Sequence, residues 1–406
     1  MIHCPSSKNK CFLYADKFFF WRHIVKVAVL GFGTVGVGVY EMLQAAEKLE
    51  AGPVLVRPGK VDAPFKVSNI EEIVNDASVG AVAEVMGGVE PAFTYAMAAL
   101  KAGKHFVTSN KALVAAKGVE LNRTARENGV AFLFSAACGG AVPFLHNLAR
   151  AAETDEILSI GGILNGTTNF MLDNMQRFGL DYGDALRQAQ ELGYAEADPT
   201  ADVSGLDALR KIMLACAAAY GILPKEGLLN EGIESLTAED VKDFAAKGWV
   251  CRLVTSGAMS ADGKLSAYIE PVLVRPGSAE SSVLQNFNMA RYEGKNAGAI
   301  ALMGQGAGRY PTASAVLRDL SGILSGERYM FPACCAEGAA DNSAAVNSYY
   351  VRLPAACASL LPAVSAEEEG AVVRLITEPV SVKDMHEAAA KIRADGGSVF
   401  FAAVKE

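Results

Sequence analysis

The densest polar constellation of this 406-residue chain is AQELGYAEADPTADVSGLDALRK, residues 189 to 211. Glu196, Asp198, Asp202, Asp207 and Lys211 fall within it, beside an apolar run that continues as IMLACAAAY. Asp207 and Lys211 stand four apart, so a helix puts both on one face, with the acid on the favourable N-terminal side. In isolation that is the spacing of a solvated surface ion pair. A turn-rich insert carrying Glu196 and Asp202 just ahead of it changes the reading: four charged groups are expected to converge. A lysine held by a carboxylate can give and take a proton.

A second chemistry sits near the start. The apolar run IVKVAVL at 24 to 30 reads as a buried parallel strand, and Gly31, Phe32, Gly33, Thr34, Val35 and Gly36 follow as GxGxxG before a helix-forming stretch. Such a turn lets the backbone approach a pyrophosphate lying on the helix N-terminus. A second strand, PVLVR at 53 to 57, ends in Arg57 rather than the acid that holds the ribose hydroxyls of NAD, so NADP is expected, with NAD possible and Lys60 as a helper. TSNKALVA puts Ser109, Asn110 and Lys111 just past a strand's carboxyl end, where Lys111 can orient a polar group beside a nicotinamide.

The 189 to 211 stretch resembles the signature of the homoserine dehydrogenases, with Ala189, Gly193, Tyr194, Ala195, Asp198, Pro199, Asp202, Val203, Gly205, Asp207 and Lys211 at its spacing. GFGTVG, EVMGG, AGKHFVTSNKALVA, GILNGTTNF and GQGAGRYPTASAVLRD are similar to that family in the same order, over about residues 24 to 325. The resemblance implies reversible, nicotinamide-dependent interconversion of L-homoserine and L-aspartate 4-semialdehyde, on the route to threonine and methionine. It makes Lys211 the acid/base residue with Asp207 at the substrate, Asp202 positioning the reacting end and Lys111 between substrate and cofactor. Glu196 would take the substrate amino group beside Tyr194, and Gly166 and Thr167 would form a substrate loop. Gly87 and Ser109 join the cofactor site, and Gly306 lies in the turn that closes over it.

The chain departs from the family where Ser135 replaces a Glu that commonly holds a monovalent cation together with main-chain carbonyls. Cys138, Gly140 and Val142 keep those carbonyls, but the shell loses its formal charge, and sodium binding is expected to be weak or absent. From Ser348 the tail resembles an ACT-type regulatory domain, with PAACASLLPAVSAEEEG as a shortened connection that lacks the usual turn. Two rival functions remain at this point. Cys138, in a glycine-rich turn with His146 as the only close histidine, suggests a cysteine-acylating semialdehyde dehydrogenase. The alternative is a catalytically silent nucleotide sensor, against which both lysines argue.

The elements needed to position these groups follow from strand and helix alternation. Residues 24 to 150, completed by a helix at 308 to 325, read as an α/β domain with a doubly wound, Rossmann-type parallel sheet. Residues 151 to 307 read as an α+β substrate and dimerisation domain, and 343 to 406 as the small ACT-like α+β tail. Residues 1 to 23 are expected to be a poorly ordered extension, neither signal peptide nor membrane span. With 37 basic and 45 acidic residues, net −8, the chain lacks the basic surface that nucleic acid or anionic membrane requires. At 51% hydrophobic and 20% charged it can bury large cores. Its eight cysteines form no CxxC pair, which fits a reducing cytoplasm better than zinc. A small-molecule substrate and a homodimer or homotetramer are the expected partners.

Overall fold

The computed structural model describes residues 24 to 57, 59 and 63 to 405. The expectations for residues 1 to 23 and for Lys60 lie outside the described residues. Among those residues, β1 (Val25–Leu30), β2 (Leu49–Leu55), β3 (Lys66–Val67), β4 (Val79–Glu84), β5 (His105–Thr108) and β6 (Phe132–Leu133) form a parallel sheet. Its order is β3-β2-β1-β4-β5-β6. The order reverses between β1 and β4, so a crevice opens beyond their carboxyl ends. Val27, Ala28, Val29 and Leu30 are all buried, as happens when helices cover both faces of a parallel sheet. Those helices are α1 (Thr34–Gln44), α2 (Glu71–Val74), α3 (Ala92–Lys101) and α4 (Lys111–Glu127), with α5 (Phe144–Ala152) following β6.

One strand boundary differs from expectation. The second strand begins at Leu49, opposite Val25, and stops at Leu55, which leaves Arg57 beyond its end. In the stretch VAFLFSAA only Phe132 and Leu133 are strand. Ser135–Ala137 winds instead into a 3-10 turn, because the Ser135 N–H and hydroxyl both donate to Asp319, at 2.8 and 2.5 Å.

The chain then builds a mixed sheet. In order come β7 (Ile157–Ile163), α6 (Gly166–Phe178), α7 (Tyr182–Glu191), α8 (Thr200–Val203), α9 (Leu206–Tyr220), β8 (Ile222–Glu226), β9 (Leu229–Asn230) and α10 (Ala238–Ala246). After them come β10 (Val250–Met259), β11 (Leu265–Val274), β12 (Phe287–Gly294), β13 (Gly298–Gln305) and α11 (Arg309–Leu324). The tail adds β14 (Ala336–Ala339), β15 (Val346–Pro354), β16 (Ala363–Glu369), β17 (Val372–Thr377), β18 (Val380–Ser381), α12 (Val382–Ala394) and β19 (Phe400–Val404). The sheet runs β13-β12-β7-β10-β11-β19-β15-β17-β16.

The tail therefore does not stand apart: β19 pairs in parallel with β11, Ala403 opposite Val272. Its strands β19-β15-β17-β16 follow the order of a split βαβ unit, 4-1-3-2, in which a 3-10 turn at Ala355–Leu360 stands in for the first helix. β14 pairs in parallel with β8, apart from the main sheet.

α9 is buried nearly all round, which suits its run of Ile, Met, Leu, Ala and Cys. Against the first sheet, α11 packs on α1. A Cβ at Gly38 would stand 2.9 Å from Arg309 Cγ and 3.2 Å from Ala313 Cβ. Gly38→Val is expected to wedge the two helices apart and lower stability by about 1–3 kcal/mol. Urea denaturation would show a lower midpoint at an unchanged slope; an unchanged midpoint would mean that the contact yields freely.

Candidate active site

The glycine turn has the shape of a nucleotide cradle. Gly31 adopts φ +99°, and a Cβ at Gly36 would lie 2.2 Å from the Gly31 carbonyl, so both positions need glycine. Gly33 is the opposite case: a Cβ there meets nothing within 4 Å, because the space before the α1 N-terminus is open. Phe32 packs edge-on to Tyr40, Thr34 begins α1 and Val35 packs against the core. The Gly31 N–H donates to Leu55 O at 3.0 Å, which brings the end of β2 and the exposed Arg57 beside this turn. Gly87, exposed at φ +84°, follows β4 on the other side of the crevice. Gly306 follows β13 and lies against Gly140, where a Cβ would stand 2.5 Å from the Gly306 carbonyl carbon.

Glu84, fully buried at the end of β4, organises the far wall. It accepts from the Met86 and Gly87 N–H groups, the Thr108 hydroxyl and the Asn110 amide, while the Ser109 N–H donates to its carbonyl. Burial pushes its carboxyl above the ordinary range despite these donors. Asn110 caps α4 by accepting from Leu113 N–H, and Lys111 opens the helix. A cation there is unfavourable toward the helix dipole. The compensation comes from Asp207 Oδ1, 2.9 Å from Lys111 Nζ.

Asp207 is the hub. Its other oxygen accepts from Lys211 Nζ at 2.7 Å and from Asn165 Nδ2 at 2.9 Å. Burial alone would raise its pKa, but the Lys211 and Lys111 charges outweigh it and hold the carboxyl well below the usual range. Lys211 is 7% exposed, and its ammonium also donates to Leu164 O. Burial works against its charge, yet Asp207 prevails and raises the pKa above that of a free lysine. Asn165 also donates to Asp202 Oδ1 at 2.7 Å. Burial, followed by the Asp207 charge, keeps the Asp202 pKa raised against that bond.

Several expectations need correction. Glu196 does not join the cluster: its side chain is exposed and, among the described residues, has no hydrogen-bond or ion-pair partner. Asp198 is spent on a turn, accepting from the Thr200 hydroxyl and N–H. Gly166 and Thr167 are not in a loop but form the first turn of α6, capped by Asn165. The Thr167 hydroxyl donates to Tyr194 O at 2.7 Å, and the Tyr194 ring stands edge-on to Phe170. Cys138 is poorly suited to act as a nucleophile: it is fully buried, burial pushes its thiol up to about 12, and its Sγ lies 3.8 Å from Lys211 O. His146 faces Glu327 instead. At the expected cation loop, the Val142 carbonyl already accepts from Phe144 N–H, and Ser135 is committed to Asp319. Burial raises the Asp319 carboxyl to about 7.

Asn165, Glu84 and Asp319 were not singled out in the sequence. An Asn just before TTNFML carries the signature of a helix cap, so Asn165 was within reach. Its second bond, across to Asp202 and Asp207, was not.

A glycine cradle at a strand-to-helix turn, in a sheet whose next helix but two brings Lys111 to a buried lysine and carboxylate, is the site of a dinucleotide-dependent oxidoreductase. The family model for homoserine dehydrogenase matches residues 143 to 321, and the one for its NAD binding domain matches 31 to 135. The homoserine dehydrogenase of Synechocystis sp. is 38% identical over 317 residues, 74% of this chain and 73% of that protein. That of Corynebacterium glutamicum is 40% identical over 318 residues, 73% of this chain and 71% of its own length. Among solved structures, a homoserine dehydrogenase from Thiobacillus denitrificans superposes with a TM-score of 0.84 at 29% identity, covering 94% of this chain and 98% of that one. A hyperthermophilic archaeal homoserine dehydrogenase mutant in complex with NADPH gives 0.63 at 25% identity, covering 76% and 98%. The chain belongs to the homoserine dehydrogenase family.

The buried network predicts unequal stability losses. Asp207→Ala leaves Lys211 charged in a dry site and is expected to cost about 3–5 kcal/mol. Lys111→Ala removes a partner that is more than a third exposed, and a loss below about 1 kcal/mol is expected. Chemical denaturation of the two variants checks this; equal losses would contradict it.

Proposed function

We propose that this chain interconverts L-homoserine and L-aspartate 4-semialdehyde with NADP(H), and that Lys211 is its acid/base residue. One observation carries the reading: a buried lysine, kept charged by Asp207, is tied through that acid to Lys111, which opens the helix after β5 of the same parallel sheet that carries the glycine turn. The nicotinamide, when bound, supplies or accepts the hydride. The open space before Gly33 and the exposed guanidinium of Arg57 fit a dinucleotide with a ribose phosphate. The NADPH bound by the archaeal relative supports the same choice, and Ser109, Gly87 and Gly306 would surround the remainder of the cofactor.

As hydride reaches the semialdehyde carbon, negative charge grows on its oxygen and calls for a proton. Lys211 carries that proton without tuning, since its pKa lies above the ordinary lysine value. Lys111 holds the second side of Asp207, and Asp202 is set by Asn165 to meet the hydroxyl end. Gly166 and Thr167, in the first turn of α6, would contribute to substrate binding. Glu196, exposed and unpaired among the described residues, is available to the substrate ammonium beside Tyr194.

Residues 24 to 150 with 308 to 325 would then bind the dinucleotide, and 151 to 307 the substrate and a second subunit. The tail, in its split βαβ order, reads as an ACT-like regulatory unit. Free thiols at Cys138, Cys216, Cys251, Cys334, Cys335 and Cys357 suit a cytoplasmic enzyme of threonine and methionine synthesis. Among the described residues no helix is long and apolar enough to cross a membrane.

Homoserine-dependent reduction of NADP, followed by absorbance, tests the reading; a folded, inactive protein would favour the sensor alternative. Lys211→Ala is expected to lower kcat on the order of 10²- to 10⁴-fold while leaving the KM for NADP unchanged. Near-native turnover in that variant would move the acid/base role to Lys111.

The pH profile has a definite sign. Homoserine oxidation needs the neutral amine, so its rate should climb with pH without a plateau below about pH 10. Semialdehyde reduction needs the ammonium and should be flat through neutrality. An oxidation plateau near neutral pH would assign the proton to another group.

Arg57→Ala is expected to raise the KM for NADP roughly tenfold while barely touching that for NAD. Equal effects on both cofactors would remove Arg57 from the phosphate site.

A further inference from the structure

Two buried acids lie outside the catalytic cluster and belong to adjacent strands. β9 runs parallel to β11 with Asn230 opposite Ile269, and the Glu231 N–H donates to Ile269 O at 2.8 Å. The next residue in each case is a carboxylate, Glu231 just past β9 and Glu270 on β11, at 6% and 1% exposure. Two acids withdrawn from water side by side require donors or cations.

Both are answered by the tail. The Arg393 guanidinium gives Nη1 to Glu231 Oε2 at 3.0 Å and Nη2 to Oε1 at 2.5 Å. Glu270 lies 3.6 Å from His386 Nε2 and accepts from the Tyr349 hydroxyl and the Asn347 amide. His386 and Arg393 are seven residues apart on α12, so one helix face covers both acids.

The segment that holds Glu231 also supports the catalytic turn. The Asn230 side chain donates to Ser204 O at 2.8 Å, and the Ile233 N–H to Val203 O at 2.9 Å. Gly232 approaches so closely that a Cβ would stand 2.2 Å from Val203 O. Val203 to Gly205 is the link between α8, which carries Asp202, and α9, which carries Asp207 and Lys211. The Gly205 N–H closes the link on Asp202 O at 3.0 Å.

We propose that Glu231 is a positioning residue: clamped by Arg393 of the tail, it fixes the 229–233 strap and, through it, the turn that sets Asp202 against Asp207. The inference rests on the reading of Asp202 and Asp207 as groups at the substrate. It makes α12 the route by which an event in the tail reaches substrate affinity.

The test uses the full chain with Arg393→Ala, Arg393→Lys and Glu231→Gln, and reads steady-state kinetics beside amide hydrogen exchange. Arg393 is partly exposed, so its variants are expected to fold. Arg393→Ala should raise the KM for L-homoserine about fivefold, leave that for NADP unchanged, and speed exchange at the Gly205 and Ile233 amides. Arg393→Lys should recover part of the loss, since it keeps the charge without the fork. Glu231→Gln should resemble Arg393→Ala in both readouts. A native KM for homoserine, or equal rises for both substrates, would overturn the proposal. If the native chain oxidises no homoserine, the functional reading fails, and exchange alone decides: faster exchange at those amides supports the strap, unchanged exchange overturns it.

Discussion

One carboxylate shared between two ammonium groups ties the molecule together. Asp207 reaches Lys111 with one oxygen and Lys211 with the other, and the two lysines belong to different layers. Lys111 opens the helix after β5 of the parallel sheet, whereas Lys211 rides on α9 against the mixed sheet. Withdrawing Asp207 and Lys211 from water is costly unless every charge finds a partner in good geometry. The folds on both sides are therefore constrained to meet at one point. The electrostatic outcome is a depressed acid and an elevated base, which keeps the buried pair in its charged form.

Around this point the backbone supplies direction through polar caps. Asn110 and Asn165 each begin a helix, and each uses its remaining amide hydrogens to hold a neighbour. Asn110 donates to Gly88 O and Glu84, which locks the carboxyl ends of β4 and β5 together. Asn165 donates to Asp202 and Asp207, which keeps two acids close without letting them repel freely. Glu84 and Asp319 play the corresponding role from below. Both are buried, and both organise a turn by accepting N–H and hydroxyl donors.

The parts legible in the sequence are those set by local rules. GxGxxG after an apolar run specifies a strand, a tight turn and a helix, and the spacing of Asp207 and Lys211 specifies a shared helix face. Lys111 was legible because a cation at a helix N-terminus needs a reason. What escaped depends on contacts between distant segments. Nothing local shows that Ser135 will meet Asp319, 184 residues away, or that Glu196 will turn outward while Asp202 turns in. β12 escaped because NFNMARYEG is polar, and only pairing with β7 and β13 makes it a strand. The tail's strand and helix order was visible, but its attachment to β11 was not. Edge pairing between sheets leaves little mark on hydrophobic periodicity.

That attachment changes how the tail is understood physically. A module linked only by a flexible connection would leave Glu231 and Glu270 to solvent, where carboxylates need no partners. Here β19 extends the sheet beside β11 and brings α12 over both acids, so their burial and their neutralisation arrive together. Buried polar groups of this kind contribute little net stability, because desolvation offsets most of the attraction. Their effect is to fix geometry: an apolar cover would tolerate a sliding helix, whereas a bidentate arginine and a hydrogen-bonded acid admit only one register. The same strand pair that carries these acids leads directly into the strap beneath the Val203 to Gly205 turn, so register in the tail and register at the catalytic turn are set by one continuous set of bonds.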